Sequence, residues 1–315
     1  MDSFRTHPLY RIHNIDSAMS SMFSFYKKHF IVLFITSLIM SLITQYISGM
    51  IDMAELQGIT DPAEMVEKLR QYIGPMVIIS LISLLFSTII HYYVIYNPLD
   101  SGTNIINSAI RSLRYFIPYL IIMVLFAFVG SFALAIGLLA IVIGVLFAAL
   151  YLAMIYFFIL PILLVEGPGI ANAISRSLVL SHRKFWSNYG WTAAFVVLLL
   201  VVSIILSGLV LLPFSGSLLK VLADPEIATP VTDLAKNPLY LILSAAVNAL
   251  TFPLFSVFAV IFYFNALAGE QRATIVEEEP FSEDNGGVSV NDLYARPEPD
   301  DMAGPDVTDE NRNKA

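Results

Sequence analysis

Ser80, Ser83, Ser87 and His91 recur at intervals of three, four and four within an otherwise apolar run. On a helix that spacing lines up one face. Ser37, Ser41, Gln45 and Ser48 repeat the pattern in an earlier run, and Ser244, Asn248 and Thr251 in a later one. Two kinds of chemistry suit such stripes. One is a hydrophilic path for a small solute, with Gln45, Ser83, Ser87, His91 and Asn248 as its lining. The other is hydrogen bonding between neighbouring helices in lipid, worth about 0.6 kcal/mol per contact. No acid or base lies deep in these runs, and proton-coupled carriers generally need one there, so helix–helix bonding is the simpler reading. His91 alone cannot build a metal centre, which wants three or four ligands. Followed by Tyr92 and Tyr93, it fits an aromatic belt at a membrane interface. Paired carboxylates and Ser–His arrangements at useful spacing are absent from the sequence, and the chain has no cysteine. We therefore read no catalytic, cofactor or metal site, and expect a non-enzymatic protein.

The cations form a second set. Arg111, Arg114, Arg176, Arg183 and Lys184 flank apolar runs, where each would attract an anionic lipid headgroup by about 1 kcal/mol. The tendency of cytoplasmic loops to collect Lys and Arg also explains them. Glu166 stands just before Gly167-Pro168-Gly169, at the end of one apolar run and the start of the next segment. Pairing with Arg176 or with Arg111 fits that position, as does a solvated cap near a helix start.

These residues need a scaffold, and the scaffold is set by residues 116–165, which contain no charge at all. As one helix they would reach about 75 Å, against a hydrocarbon core of about 30 Å. Two spanning helices joined by a tight turn are required. Ala135-Ile136-Gly137 is the expected turn, because glycine accepts the backbone angles involved. Only 13% of all residues are charged, against about 25% in soluble domains, and mean hydropathy is +0.75. The net charge of −8 belongs largely to the region after Glu270, which holds about half of the acids.

In chain order, residues 1–29 form a cytoplasmic or interfacial segment. Within it Ile15, Met19, Met22, Phe23 and Tyr26 predict a short amphipathic helix. Residues 30–51 are the first span and read as an uncleaved signal anchor. Asp61-Pro62 predicts a helix start, and 74–96 the second span. Residues 104–115 are a second amphipathic piece, with Ile105, Ile106, Ala109, Ile110 and Leu113 opposite Arg111 and Arg114. The hairpin of 116–165 follows. A third amphipathic piece covers 170–186, and spans at 187–212 and 238–268 complete six, the last with a kink at Pro253. Residues 269–315 are acidic, aperiodic and expected to be disordered. The transmembrane domain is thus 30–268.

Lys and Arg number four in the N-terminal segment, two in 97–115 and three in 166–186. The segments 52–73 and 213–237 hold two each and are rich in acids. Six spans with both termini cytoplasmic satisfy that bias throughout. The three surface pieces also resemble one another. Residues 16–22, 107–113 and 171–178 align with Ala18, Ala109 and Ala173 in register, consistent with three parallel hairpins.

Residues 156–186 carry Pro161 in an outgoing helix, Glu166 at its end, then Ala173, Arg176, Ser177 and Leu178, with Phe185 and Trp186 before the next span. This pattern resembles the integral-membrane domain fused to some bacterial glycerophosphodiester phosphodiesterases, and related stand-alone inner-membrane proteins of unknown function. The hydropathy profile agrees over about 10–270. The soluble phosphodiesterase barrel of those fusions is not found in these residues, so its activity is not carried over. The resemblance implies a bacterial plasma membrane. The expected fold is all-α and polytopic, with six transmembrane helices as three hairpins, each preceded by an amphipathic interfacial helix. Expected partners are membrane lipids, anionic ones included, and a protein partner for the acidic tail, but no nucleic acid. The expected role is lipid interaction or envelope scaffolding; the alternative is a small-solute transporter or channel.

Overall fold

The computed structural model describes residues 2–51, 59, 61–100, 102–139, 141–216 and 237–278. Among them there is no strand. The helices are α1 (Ile15–Lys28), α2 (Phe30–Ser48), α3 (Pro62–Tyr96), α4 (Ile105–Leu139), α5 (Ile141–Val165), α6 (Ile170–Arg183), α7 (Phe185–Leu211) and α8 (Pro238–Glu278), with short 3-10 turns at Asp2–Thr6 and Leu212–Phe214. Six of these, α2, α3, α4, α5, α7 and α8, are long and apolar enough to cross a membrane. The described residues up to Glu270 form one compact unit.

Local chemistry explains the boundaries. Asn14 caps α1 by accepting from the Ser17 N–H, while Ser17 returns a bond from the Asn14 N–H, a reciprocal cap that satisfies two orphan donors. Asp61 caps α3 through the Ala63 N–H at 2.9 Å, with Pro62 as first helical residue, as the sequence predicts. α3 then runs on through the second span as one helix of 35 residues, about 52 Å long, so its charged start projects beyond the hydrocarbon. α8 likewise carries Pro253 without a break and continues to Glu278, ten residues past the expected end. The remaining tail, 279–315, lies outside the described residues.

Two expectations are corrected. The hairpin turn is not at Ala135-Ile136-Gly137: α4 continues to Leu139 and α5 starts at Ile141. Gly137 is helical, and its role is close approach. A Cβ there would sit 2.8 Å from the Gly144 carbonyl oxygen, so only glycine lets the two backbones touch. The second amphipathic piece is also not a separate helix; it is the first three turns of α4.

The three surface pieces nevertheless share one register. Counting from the caps Asn14, Asn104 and Gly169, the residues four, eight and eleven positions on are buried: Ala18, Met22 and Phe25; Ser108, Ser112 and Tyr115; Ala173, Ser177 and Leu180. This pairs Ala18 with Ser108, one residue away from the alignment by alanines. Fifteen positions on, α1 and α6 break at His29 and Lys184, both with non-helical backbone, and a span begins. In the second piece Pro118 and Tyr119 stand at that point and the helix is unbroken.

The inward faces mix small or hydroxylated residues (Ala18, Ser108, Ser112, Ala173, Ser177) with Met22, Phe25, Tyr115 and Leu180, while Ile106, Ile110, Leu113 and Val179 face outward. Lipid tails are as apolar as leucine, so burying large apolar groups gains little there, and small residues allow close packing instead. The hydroxyls bring no unsatisfied donor: Ser108, Ser112, Ser177 and Ser181 each donate to a carbonyl three or four residues back.

The core lies at one end of the bundle, where α3, α5 and α8 arrive. Residues 87–95 and 256–264 are buried without interruption, and 154–164 are buried save Tyr156. Helices buried on every side are surrounded by protein. Tyr96 donates to the Leu164 carbonyl at 2.7 Å, and Phe158 stacks on Phe262 at 4.5 Å. Phe195 of α7 lies parallel to Phe258 at 3.9 Å. α5 enters this core through Met154–Leu164, while Gly144 near its start serves the contact with α4.

Residues ahead of α1 also pack into this core. Phe4, His7, Leu9 and His13 are buried. Phe4 packs on both Tyr96 and Phe264. The Leu9 N–H donates to His7 Nδ1 at 3.1 Å, which places the ring proton on Nε2, 3.1 Å from the Val94 carbonyl. Asn265, near the end of the last span, accepts from the His13 N–H at 2.8 Å. Asn97, at the end of the second, donates to the Thr103 carbonyl at 2.7 Å. Each asparagine therefore holds the residue just before a helix cap, and the bond to His13 ties α8 back to the segment that leads into α1.

Candidate functional site

The carboxylate of Glu166, only 9% exposed, lies where α5 ends and the chain turns into α6. The turn needs Gly167, which has φ +114°, a conformation side chains with Cβ rarely adopt. One helical turn and a half into α6, Arg176 places Nε 3.3 Å from Glu166 Oε1. Its Nη1 donates to Glu270 Oε1 at 3.0 Å and its Nη2 to the other Glu270 oxygen. Arg183 adds a contact to Glu270 Oε1 at 3.0 Å. The buried Tyr263 hydroxyl donates to Glu166 Oε1 at 2.9 Å. Burial opposes the charge on Arg176, but the bonds to Glu270, then the field of Glu166, outweigh it and raise its pKa above the ordinary arginine value. Two acids and two arginines balance, so this is a neutral clamp joining α5, α6 and α8. It holds charge still; it offers no free acid or base.

The expected Glu166–Arg176 contact is thus present, while Glu270 and Tyr263 were not anticipated. Glu270 reads in sequence as the start of an acidic tail. The signal that was available is the repeated aromatic-Asn-x-Leu of Tyr96-Asn97-Pro98-Leu99 and Phe264-Asn265-Ala266-Leu267, which marks both segments as equivalent ends of apolar runs, although only the first is also the end of a helix. Arg176 is corrected as a headgroup contact: its guanidinium is occupied by two carboxylates. Arg183 shares Glu270 but stays 40% exposed.

The remaining cations face outward. Arg111 is exposed, 3.9 Å from an equally exposed Asp100. The Gly102 N–H and Thr103 hydroxyl, with Arg111 nearby, hold the Asp100 carboxyl below its usual range. Arg114 lies over the Tyr115 ring at 4.5 Å and donates to its hydroxyl. Lys184 is exposed at the break between α6 and α7, two residues before Trp186, which is 75% exposed.

The expected polar path is divided. Gln45 and Asn248 line one cavity of about 270 Å³ with Ser207, Tyr240 and Ser244. Ser87 and His91 line another of about 280 Å³ with Tyr119, Tyr156 and Ser256. Ser83 lines neither. His91 is buried inside the bundle, not in an interfacial belt, and its Nδ1 donates to the Ser87 carbonyl at 2.8 Å. Ser80 donates to Met76, one turn back in its own helix. Ser37 and Ser41 are buried with no hydrogen-bond partner among the described residues. No group of three or more His, Cys, Asp or Glu that could hold a metal is found among the described residues. Comparison of the chain with protein-family models, with curated proteins and with solved structures gives no match.

Proposed function

We propose that the chain is a non-enzymatic protein of a bacterial plasma membrane, with both termini cytoplasmic, that binds anionic lipid as a scaffold or accessory of the envelope. Its six spans form three hairpins, the first and third entered through a surface helix, α1 or α6, and the second through the first three turns of α4. The observation that carries this reading is the pairing of exposed cations with outward apolar groups: Arg111 and Arg114 beside Ile106, Ile110 and Leu113, and Lys184 beside Trp186. Cations next to lipid-facing aliphatic and indole groups are the signature of a headgroup-level surface. The acidic residues after Glu270 would serve a protein partner. In detergent, the protein with Arg111, Arg114 and Lys184 all changed to Gln should bind phosphatidylglycerol about a hundredfold more weakly, at about 1 kcal/mol per charge. Equal binding by the variant and the unaltered protein in a lipid titration would contradict the reading.

A small-solute transporter or channel is the second reading, favoured by the two cavities lined by Gln45, Asn248, Ser87 and His91. Solute flux into proteoliposomes, abolished by Asn248→Leu, would support it over the first.

A further inference from the structure

The largest of the described cavities, about 770 Å³, lies away from the clamp and from the polar stripes. It opens between residues 8–11, one face of α1 and the end of α3. Arg11, Lys28 and His29 line it, with Ser20, Ser21, Ser24 and Asn97. Ser20, Ser24 and Lys28 are successive turns of one helical face, and all three are exposed. Arg11 donates to the Ser21 hydroxyl at 2.7 Å, which holds the guanidinium over that face. Pro8, Leu9, Phe25 and Pro98 supply an apolar wall. No carboxylate lies among the lining residues, so the field of the two cations is unopposed inside the cavity.

We infer that this cavity binds a phosphate group, held by Arg11 and Lys28 with the hydroxyls of Ser20 and Ser24 completing its oxygens. Two cations, Arg11 held by its bond to Ser21 and Lys28 on a flexible stem, with several neutral hydroxyl donors match phosphate better than carboxylate, because three or four oxygens need partners at once. The volume falls within the range of small-ligand sites, roughly 300–1,000 Å³, so the phosphate would arrive on a larger group. The apolar wall and the position beside His29, where α2 starts, suit a phospholipid headgroup; a soluble phosphate ester shares the same chemistry. The inference extends the lipid reading above but uses different residues, so the two can fail separately.

The test uses the full chain in a non-ionic detergent, titrated with phosphatidylglycerol in mixed micelles, with diacylglycerol as the uncharged control, and with glycerol 3-phosphate or inorganic phosphate in water. Arg11→Gln with Lys28→Gln should weaken phosphatidylglycerol binding at this site at least tenfold. Ser24→Glu, an exposed position that adds a carboxylate to the cavity, should do the same without loss of fold, checked by melting and gel filtration. Loss confined to the lipid names a headgroup; loss for glycerol 3-phosphate as well names a soluble ester; both support the site. If every probe binds these variants as it binds the unaltered chain, the site is overturned. Should the Arg111, Arg114 and Lys184 variant still lose lipid, the wider lipid reading stands without it.

Discussion

Arg176→Ala should be the most damaging single change outside the apolar core. It leaves Glu166, nearly buried, with only the Tyr263 hydroxyl, and it removes two of the bonds to Glu270. Removing one partner of a buried pair costs about 3–5 kcal/mol. Because Arg176 and Glu270 keep 26% and 20% of their side-chain surface exposed, solvent recovers part of this, and about 2–4 kcal/mol is expected. Arg176→Lys should restore little: one ammonium cannot reach Glu166 through one nitrogen and Glu270 through two others, as the guanidinium does. Adding Glu166→Gln to Arg176→Ala should recover stability, since the leftover charge is then gone. Thermal unfolding in detergent, read as a double-mutant cycle, measures this. Independent, additive effects of the two changes would show that the clamp does not act as a unit.

Acid should loosen the N-terminal segment through His7. Burial lowers its pKa from 6.5 to about 4, against the opposing hydrogen bond to Val94, with the charge of His29 adding slightly. Protonating Nδ1 would also displace the Leu9 N–H that donates to it. The folded state therefore holds His7 neutral, while the unfolded chain takes up a proton at its ordinary value. Stability from this residue is complete above pH 6.5 and falls as pH drops toward 4, by at most roughly 3 kcal/mol. Burial also lowers the pKa of His13 and of His29, the latter helped by Lys28, so both add to the same slope. His7→Asn should flatten most of the loss between pH 6.5 and 4. An unchanged slope would assign the acid sensitivity to His13 and His29.

How much of this was legible follows from what each signal depends on. The six spans were visible because lipid forbids charge over a fixed length, and that constraint is written in composition. The start of α3 at Asp61-Pro62 was visible because capping is local. The turn between α4 and α5 was not: in 116–165 every position is apolar, and Gly137 signals a turn and a close backbone contact equally well. The unbroken entry into α4 was hidden because amphipathic spacing around Arg111 says nothing about whether the helix stops. Outward placement of Ile106 and Ile110 reverses the usual inference from such spacing, since lipid removes the reason to bury them. The clamp was half visible. Glu166 and Arg176 are ten residues apart, so their pairing is one of the options the sequence offers beside Arg111 and a solvated cap, whereas Glu270 is 94 residues from Arg176 and only the fold brings it there. His7 and His13 gave no periodic signal, and their burial depends on Asn265 and Val94 from distant helices.

The direct test of six spans with all three surface pieces on the cytoplasmic side uses the absence of native cysteine. Single cysteines at the exposed positions Asp16 and Ser175, and at Glu64 and Asn237, would be treated with a membrane-impermeant maleimide in intact bacterial cells. The account predicts labelling at 64 and 237 at once, and at 16 and 175 only after the membrane is permeabilised. Labelling of residues 16 and 64 from the same side would contradict it.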